Sequence, residues 1–268
     1  MQHASGTSPA HSASDAATRW AAIAVPVLVV FGSFLGGATQ RWSQGIVLAG
    51  FALILIARPP RLSLGWPLNT LALLFLALAA TAFLPARWFF LPTWRIALTN
   101  DFGLQLPATL SAQPWLSLDS CALLVAGLAW IYYVAALNAD LREMRRAARI
   151  FAGGMIALAA LCILLYLQHR ALPFWHNVRN FGPYPNRNQT GDLFGISTLA
   201  VLACMQDDFR RDRKRWILWL IGAGVLVAAL ILDYSRAGIL ILLLGVAAWL
   251  ARLAFRKWTG AGVGVAVS

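Results

Sequence analysis

Charged residues are scarce in this chain. Asp, Glu, Lys and Arg make up only 12% of its 268 residues, against 60% hydrophobic. A soluble domain carries about twice that charged fraction. The polar coat that a soluble domain of this length needs is missing, which excludes a soluble enzyme. The same apolar excess excludes a disordered protein. Cysteine is nearly absent: Cys121, Cys162 and Cys204 all lie inside apolar runs, with no ligand spacing between them. That excludes a disulfide-rich secreted module and makes the three thiols small buried hydrophobes. Lysine is rarer still, since Lys214 and Lys257 are the only lysines among 22 basic residues. Acidic residues number 10, so the net charge is +12. In so apolar a chain this excess is a topology signal, and no nucleic-acid partner is expected. The sequence has no P-loop, no GxGxxG and no nucleophile elbow. It also lacks any metal-ligand spacing, so neither cofactor nor metal is expected.

What is present is a series of apolar runs: residues 20–38, 45–57, 68–84, 120–137, 150–167, 191–205, 216–232 and 238–250. Several fall short of the roughly 20 residues a helical span needs, but flanking Trp, Arg and Gln reach the interface and lengthen them. The expected fold is therefore all-α, a polytopic transmembrane helix bundle of about eight helices. Residues 260–267 suggest a partial ninth. Residues 1–18, rich in Ala, Ser, Thr and His, read as a disordered cytoplasmic tail. Residues 19–268 read as one transmembrane domain that continues beyond Ser268. Residues 20–38 lack the basic start of a signal peptide and read as a retained first helix.

The arginines set the orientation. With the N-terminus in the cytoplasm, the inner segments hold Arg19; Arg58 and Arg61; Arg142, Arg145, Arg146 and Arg149; Arg210, Arg211, Arg213, Lys214 and Arg215; and Arg252, Arg256 and Lys257. Only Arg41, Arg87, Arg95, Arg170, Arg179, Arg187 and Arg236 fall outside, so this orientation is preferred over its inverse. Asp140 and Glu143, and Asp207 with Asp208, sit among the inner arginines and read as solvated loop charges.

Three outer segments then carry the candidate chemistry. Residues 85–119 are dense in Trp and Phe and interrupted by proline, which suggests a loop lying partly flat on the bilayer. Residues 168–190 are cationic. There Phe181-Gly182-Pro183-Tyr184-Pro185 forms a rigid turn that leads through Asn186, Arg187 and Asn188 into a helix capped by Asn188 or Thr190. An arginine beside a helix N-terminus offers donors to an anion, although Arg187 has an alternative partner in Asp192. Residues 232–238 interrupt an apolar stretch of about 35 residues, too long for one span of a ~30 Å bilayer core, so the chain turns there. Arg236 either pairs with Asp233 in that turn or faces an anionic ligand. His169 and His176 are loop histidines and candidate bases.

Three motifs resemble the bacterial O-antigen ligase and polymerase superfamily. They are Trp115-Leu116-Ser117-Leu118-Asp119 at a helix start, Gly182-Pro183-Tyr184-Pro185-Asn186-Arg187-Asn188, and Tyr234-Ser235-Arg236-Ala237-Gly238. Their order and separation also match, over residues 115–250. The chain has Gln189 where that family often has His, and Asp192 where a small or apolar residue is usual.

The resemblance implies a multi-pass transferase of the bacterial inner membrane that acts in lipopolysaccharide biosynthesis. Without a metal, it moves a glycan from an undecaprenyl-diphosphate carrier to an acceptor at the periplasmic face. The acceptor is a lipid A core, a glycan or a protein hydroxyl. Arg187 and Arg236 would hold the diphosphate, supported by Asn186, Asn188, Tyr184 and Ser235. The functional His of the family is expected beyond residue 268, with His176 the candidate inside this chain. The alternatives are a lipid-carrier or polysaccharide transporter and a non-catalytic truncated membrane scaffold.

Overall fold

A computed structural model describes residues 9–60, 63–89, 92–137, 139–175 and 181–264, with side chains described within residues 20–252. Among the described residues it is all-helical. The elements are α1 (Pro9–Phe34), α2 (Arg41–Ala57), α3 (Trp66–Ala80), α4 (Thr93–Asn100), α5 (Pro114–Ala136), α6 (Leu141–Leu167), α7 (Arg187–Arg210), α8 (Trp216–Asp233) and α9 (Arg236–Gly264). Among the described residues four segments are long and apolar enough to cross a membrane: Trp66–Phe83, Pro114–Ala136, Leu141–Leu167 and Trp216–Asp233. Large apolar side chains stand exposed on these elements, Leu73, Leu78, Ile131 and Leu218 among them. In water that exposure would be unfavourable, whereas hydrocarbon solvates it.

The chain divides into two units, residues 1–58 with 139–268, and residues 59–138. In the first unit α7 is the central helix, packed against α6, α8 and α9, while α1 packs on α6 and α2 on α1. Helix α7 is more polar than the helices around it, yet it is the one its neighbours cover. Thr190, Gly191, Phe194, Gly195, Ser197, Thr198, Val201, Cys204 and Asp208 are all buried. Small residues let the neighbouring backbones approach, which is how helices associate where apolar burial supplies no drive. The hydroxyls are satisfied locally: Ser197 donates to the Leu193 carbonyl and Thr198 to that of Phe194, both at 2.7 Å. In the second unit α3 packs on α5. An isolated antiparallel bridge joins Pro85 to Thr109. Arg95, only 7% exposed, donates to the carbonyls of Leu110 (3.0 Å), Thr109 (2.9 Å) and Pro107. A guanidinium is thus spent on holding a loop.

Several expectations change. Helix α1 begins at Pro9, so helical backbone runs back into the segment read as a disordered tail. Alanines at positions 10, 13, 16 and 17 favour that continuation. Residues 260–264 extend α9 and form no separate helix. Among the described residues a further helix, α4, lies inside the aromatic segment. The arginine-rich segment after Asp140 is not a loop but the start of α6. Asp140 accepts the Glu143 N–H at 2.6 Å, and the Glu143 carboxylate accepts the Asp140 N–H at 3.0 Å, a capping box. Nor are Asp207 and Asp208 solvated. Arg149 Nη2 reaches Asp208 Oδ1 at 2.6 Å and Asp207 Oδ2 at 3.1 Å. Arg145 and Arg211 also pair with Asp207, and Trp219 Nε1 donates to Asp208 Oδ2 at 2.8 Å. Asp208, 1% exposed, therefore ties α6, α7 and α8 together at the end where α7 finishes.

Candidate functional site

The other end of the first unit gathers two of the three motifs. Helix α7 starts at Arg187, with Asn186 as its N-cap: the Asn186 side chain accepts the Asn188 N–H at 2.9 Å. The cap is thus neither Asn188 nor Thr190, because the turn after Pro185 already holds Asn186 extended. Asp192 then falls in the second turn rather than the first. Helix α9 starts at Arg236, and Ser235 plays the capping role there. Its Oγ accepts the Gly238 N–H at 3.2 Å. The two helix starts meet, since Ser235 Oγ donates to Asn188 Oδ1 at 3.5 Å. Between α8 and α9 the turn needs only Tyr234 in the left-handed conformation, φ 53°, and Ser235.

Glycine makes this meeting possible. A Cβ on Gly238 would stand 2.4 Å from the Gly191 carbonyl group, and one on Gly195 would stand 2.6 Å from the Gly238 oxygen. The N-terminal parts of α7 and α9 are in backbone contact, side by side and starting at the same end. Each presents an exposed arginine at its first helical position. The partial positive charge of a helix N-terminus repels such a cation. Neither arginine is relieved by an ion pair: among the described residues Arg187 does not bridge Asp192, nor Arg236 Asp233, within 4.0 Å. Two like charges on two like dipoles favour an anion there.

Below them lies Asp233, the last residue of α8, 3% exposed. Its Oδ2 occupies the space beside Gly191, and neither carboxylate oxygen makes a hydrogen bond of normal geometry. Arg187 attracts it and Asp192 repels it. Thr190 Oγ1 and Asp192 Oδ1 are also buried without a hydrogen bond. Sequence reasoning treated these acids as salt-bridge partners. It missed that they sit together beneath the arginines, which depends on the α7–α9 crossing.

The loop before α7 is pinned to the end of α1. Tyr184 covers Gly37, where a Cβ would stand 1.9 Å from the ring, and its hydroxyl donates to Ser33 Oγ at 3.4 Å. Burial pushes the Tyr184 phenol above its ordinary value, and the Ser33 contact offsets part of that, so the phenol stays neutral. Trp175 Nε1 donates to the Phe34 carbonyl at 2.8 Å, and Phe181 packs edge-on against Phe194 of α7. Tyr184 thus positions the loop. His169 is exposed with φ 52°, while His176 lies outside the described residues. The third motif, Trp115–Asp119, opens α5 in the second unit. No group of three or more His, Cys, Asp or Glu side chains gathers as a metal site among the described residues. Compared with protein-family models, curated proteins and solved structures, the chain matches none of them.

Proposed function

We propose that this protein is a multi-pass enzyme of the bacterial inner membrane that transfers a glycan from an undecaprenyl-diphosphate carrier to an acceptor hydroxyl at the periplasmic face. The acceptor is a lipid A core, a second glycan or a protein side chain. The observation that carries the reading is the pair of unpaired arginines at the first positions of two abutting helices, Arg187 on α7 and Arg236 on α9. In such a transfer the acceptor hydroxyl gives its proton to a general base as its oxygen attacks the anomeric carbon. The bond from that carbon to the phosphate oxygen breaks, and its electron pair leaves with the diphosphate. Charge builds on the leaving group, and two guanidiniums carried on two adjacent helix N-termini offer it charge-assisted hydrogen bonds. Asn186, Asn188 and Ser235 hold the two helix starts, and Tyr184 holds the loop that leads into them.

Transport is the rival reading and needs ionisable groups near mid-span. Asp233 closes α8 and Asp192 lies in the second turn of α7, so both acids are near helix ends, which favours the transferase. The test replaces Arg187 and Arg236 with Ala, singly and together, in the full-length protein, and measures transfer from a lipid-diphosphate-linked glycan. Each single change is expected to lower transfer about 10²-fold, the scale of one lost anion-stabilising donor. Unchanged transfer in the double variant would sink the assignment. Retained carrier binding with no transfer in the unmutated protein would identify a non-catalytic scaffold.

A further inference from the structure

The second unit holds a cavity of about 680 Å³ that the transferase reading leaves unused. Arg87, Arg95, Thr99 and Asn100 stand in its wall, among Pro, Ala, Ile and Leu residues, and no lining residue is acidic. Its size is that of sites that take small molecules, roughly 300–1,000 Å³. Arg95 is over nine-tenths buried. Its Nη2 gives both protons to the Pro107 and Thr109 carbonyls, and Nη1 gives one to Leu110. A guanidinium has five N–H donors, so Nε and one Nη1 proton are uncommitted. Arg87 is exposed and makes neither an ion pair nor a side-chain hydrogen bond among the described residues. The cavity therefore offers one guanidinium held by the backbone and one exposed at its rim, with no counter-charge among its lining residues.

The immediate neighbours of these arginines in sequence point to the source of the anion. Trp88 and Phe89 follow Arg87, and Trp94 precedes Arg95; they are exposed by 64%, 42% and 50%. Exposed Trp beside Arg is the chemistry of the headgroup layer, where indoles sit among the carbonyls and guanidiniums pair with phosphates. We infer that the cavity over Arg95 binds the phosphate of a bilayer phospholipid headgroup, with Arg87 closing on it from the rim. This anchors residues 85–110 at the level of the headgroups, and the inference stands independently of the transferase reading.

The full chain, purified in detergent, is titrated with phosphatidylglycerol, and bound lipid is counted by native mass spectrometry. Basic residues elsewhere also retain anionic lipid, so the quantity read is the difference between the unmutated protein and Arg87→Ala or Arg87→Gln. Arg87 is exposed, and far-UV circular dichroism checks that both variants keep their helices. The expected result is about a tenfold loss of affinity for one phosphatidylglycerol in both variants, with Arg87→Lys in between. Diacylglycerol, which lacks the phosphate, should not distinguish the variants. Equal phosphatidylglycerol binding by Arg87→Ala and the unmutated protein overturns the site. Displacement of the Arg87-dependent lipid by millimolar inorganic phosphate would overturn the headgroup assignment in favour of a soluble anion.

Discussion

Replacing Asp208 by Asn leaves Arg149 with one carboxylate partner where it had two. Asp208 is 1% exposed while the Arg149 side chain is 28% exposed, so the pair is half in solvent. Removing one partner of a fully buried pair costs ~3–5 kcal/mol. Partial screening of Arg149 lowers that to about 2–3 kcal/mol for Asp208→Asn. Asp207 is 26% exposed and has three arginines around it, so Asp207→Asn should cost less than about 1 kcal/mol. Denaturant unfolding in mixed micelles measures both. Equal effects of the two replacements would mean that burial does not decide the strength of this network. The contrast with the other end of the bundle is chemical. There Arg187 has Asp233 within electrostatic reach and forms no ion pair within 4.0 Å, whereas Arg149 pairs with two carboxylates. An unpaired cation beside an available carboxylate is an arrangement that a stability requirement alone would not select.

Helices α7 and α9 approach through glycine, and the approach can be tested one methyl group at a time. A Cβ at position 238 would press on the backbone of Gly191, which has no rotamer to change. Gly238→Ala should therefore push the helices apart and cost about 1–3 kcal/mol. Gly224 of α8 has nothing within 4 Å of its virtual Cβ. Gly224→Ala should stabilise by about 0.5–1 kcal/mol through helix propensity alone. A neutral Gly238→Ala would show that the contact is not tight. The sequence makes the existence of most of the helices legible, because apolar runs alternate with breaks that hold Pro, Gly or Arg; α4, inside the aromatic segment, is no such run. It makes some boundaries legible too: the Asp140…Glu143 spacing announces the start of α6, although the arginines after it lower the hydropathy and disguise a helix as a loop. The order of the motifs places Arg187 and Arg236 as candidates. It does not place Asp233 under them. That follows from which turn of α7 crosses which turn of α9, a property of two distant segments that no local pattern encodes.

The +12 charge can be sorted at the scale of the whole chain. Fifteen basic residues belong to the segments assigned to the cytoplasm and seven to the outer ones, the imbalance that orients multi-pass proteins. The structure narrows the seven further. Arg95 is committed to three carbonyls, Arg41 has a partner, and Arg179 lies outside the described residues. Arg87, Arg170 and Arg236 form no ion pair among the described residues, and Arg187 has only the longer-range attraction of Asp233. Their sidedness decides what they can meet, and labelling decides sidedness. In a chain with Cys121, Cys162 and Cys204 replaced by Ala, single cysteines go to exposed positions: Thr39, Asp101 and Gln168 on the outer segments, Ser63 and Lys214 on the inner ones. A membrane-impermeant maleimide applied to intact spheroplasts should label the first three. It should label the last two only after permeabilisation. The reverse pattern would turn Arg187 and Arg236 toward the cytosol, where a carrier lipid presents its glycan before it is flipped. The same two guanidiniums would then hold a diphosphate on the wrong leaflet for transfer to a surface acceptor, so this measurement bears on the function as directly as mutation of the arginines themselves.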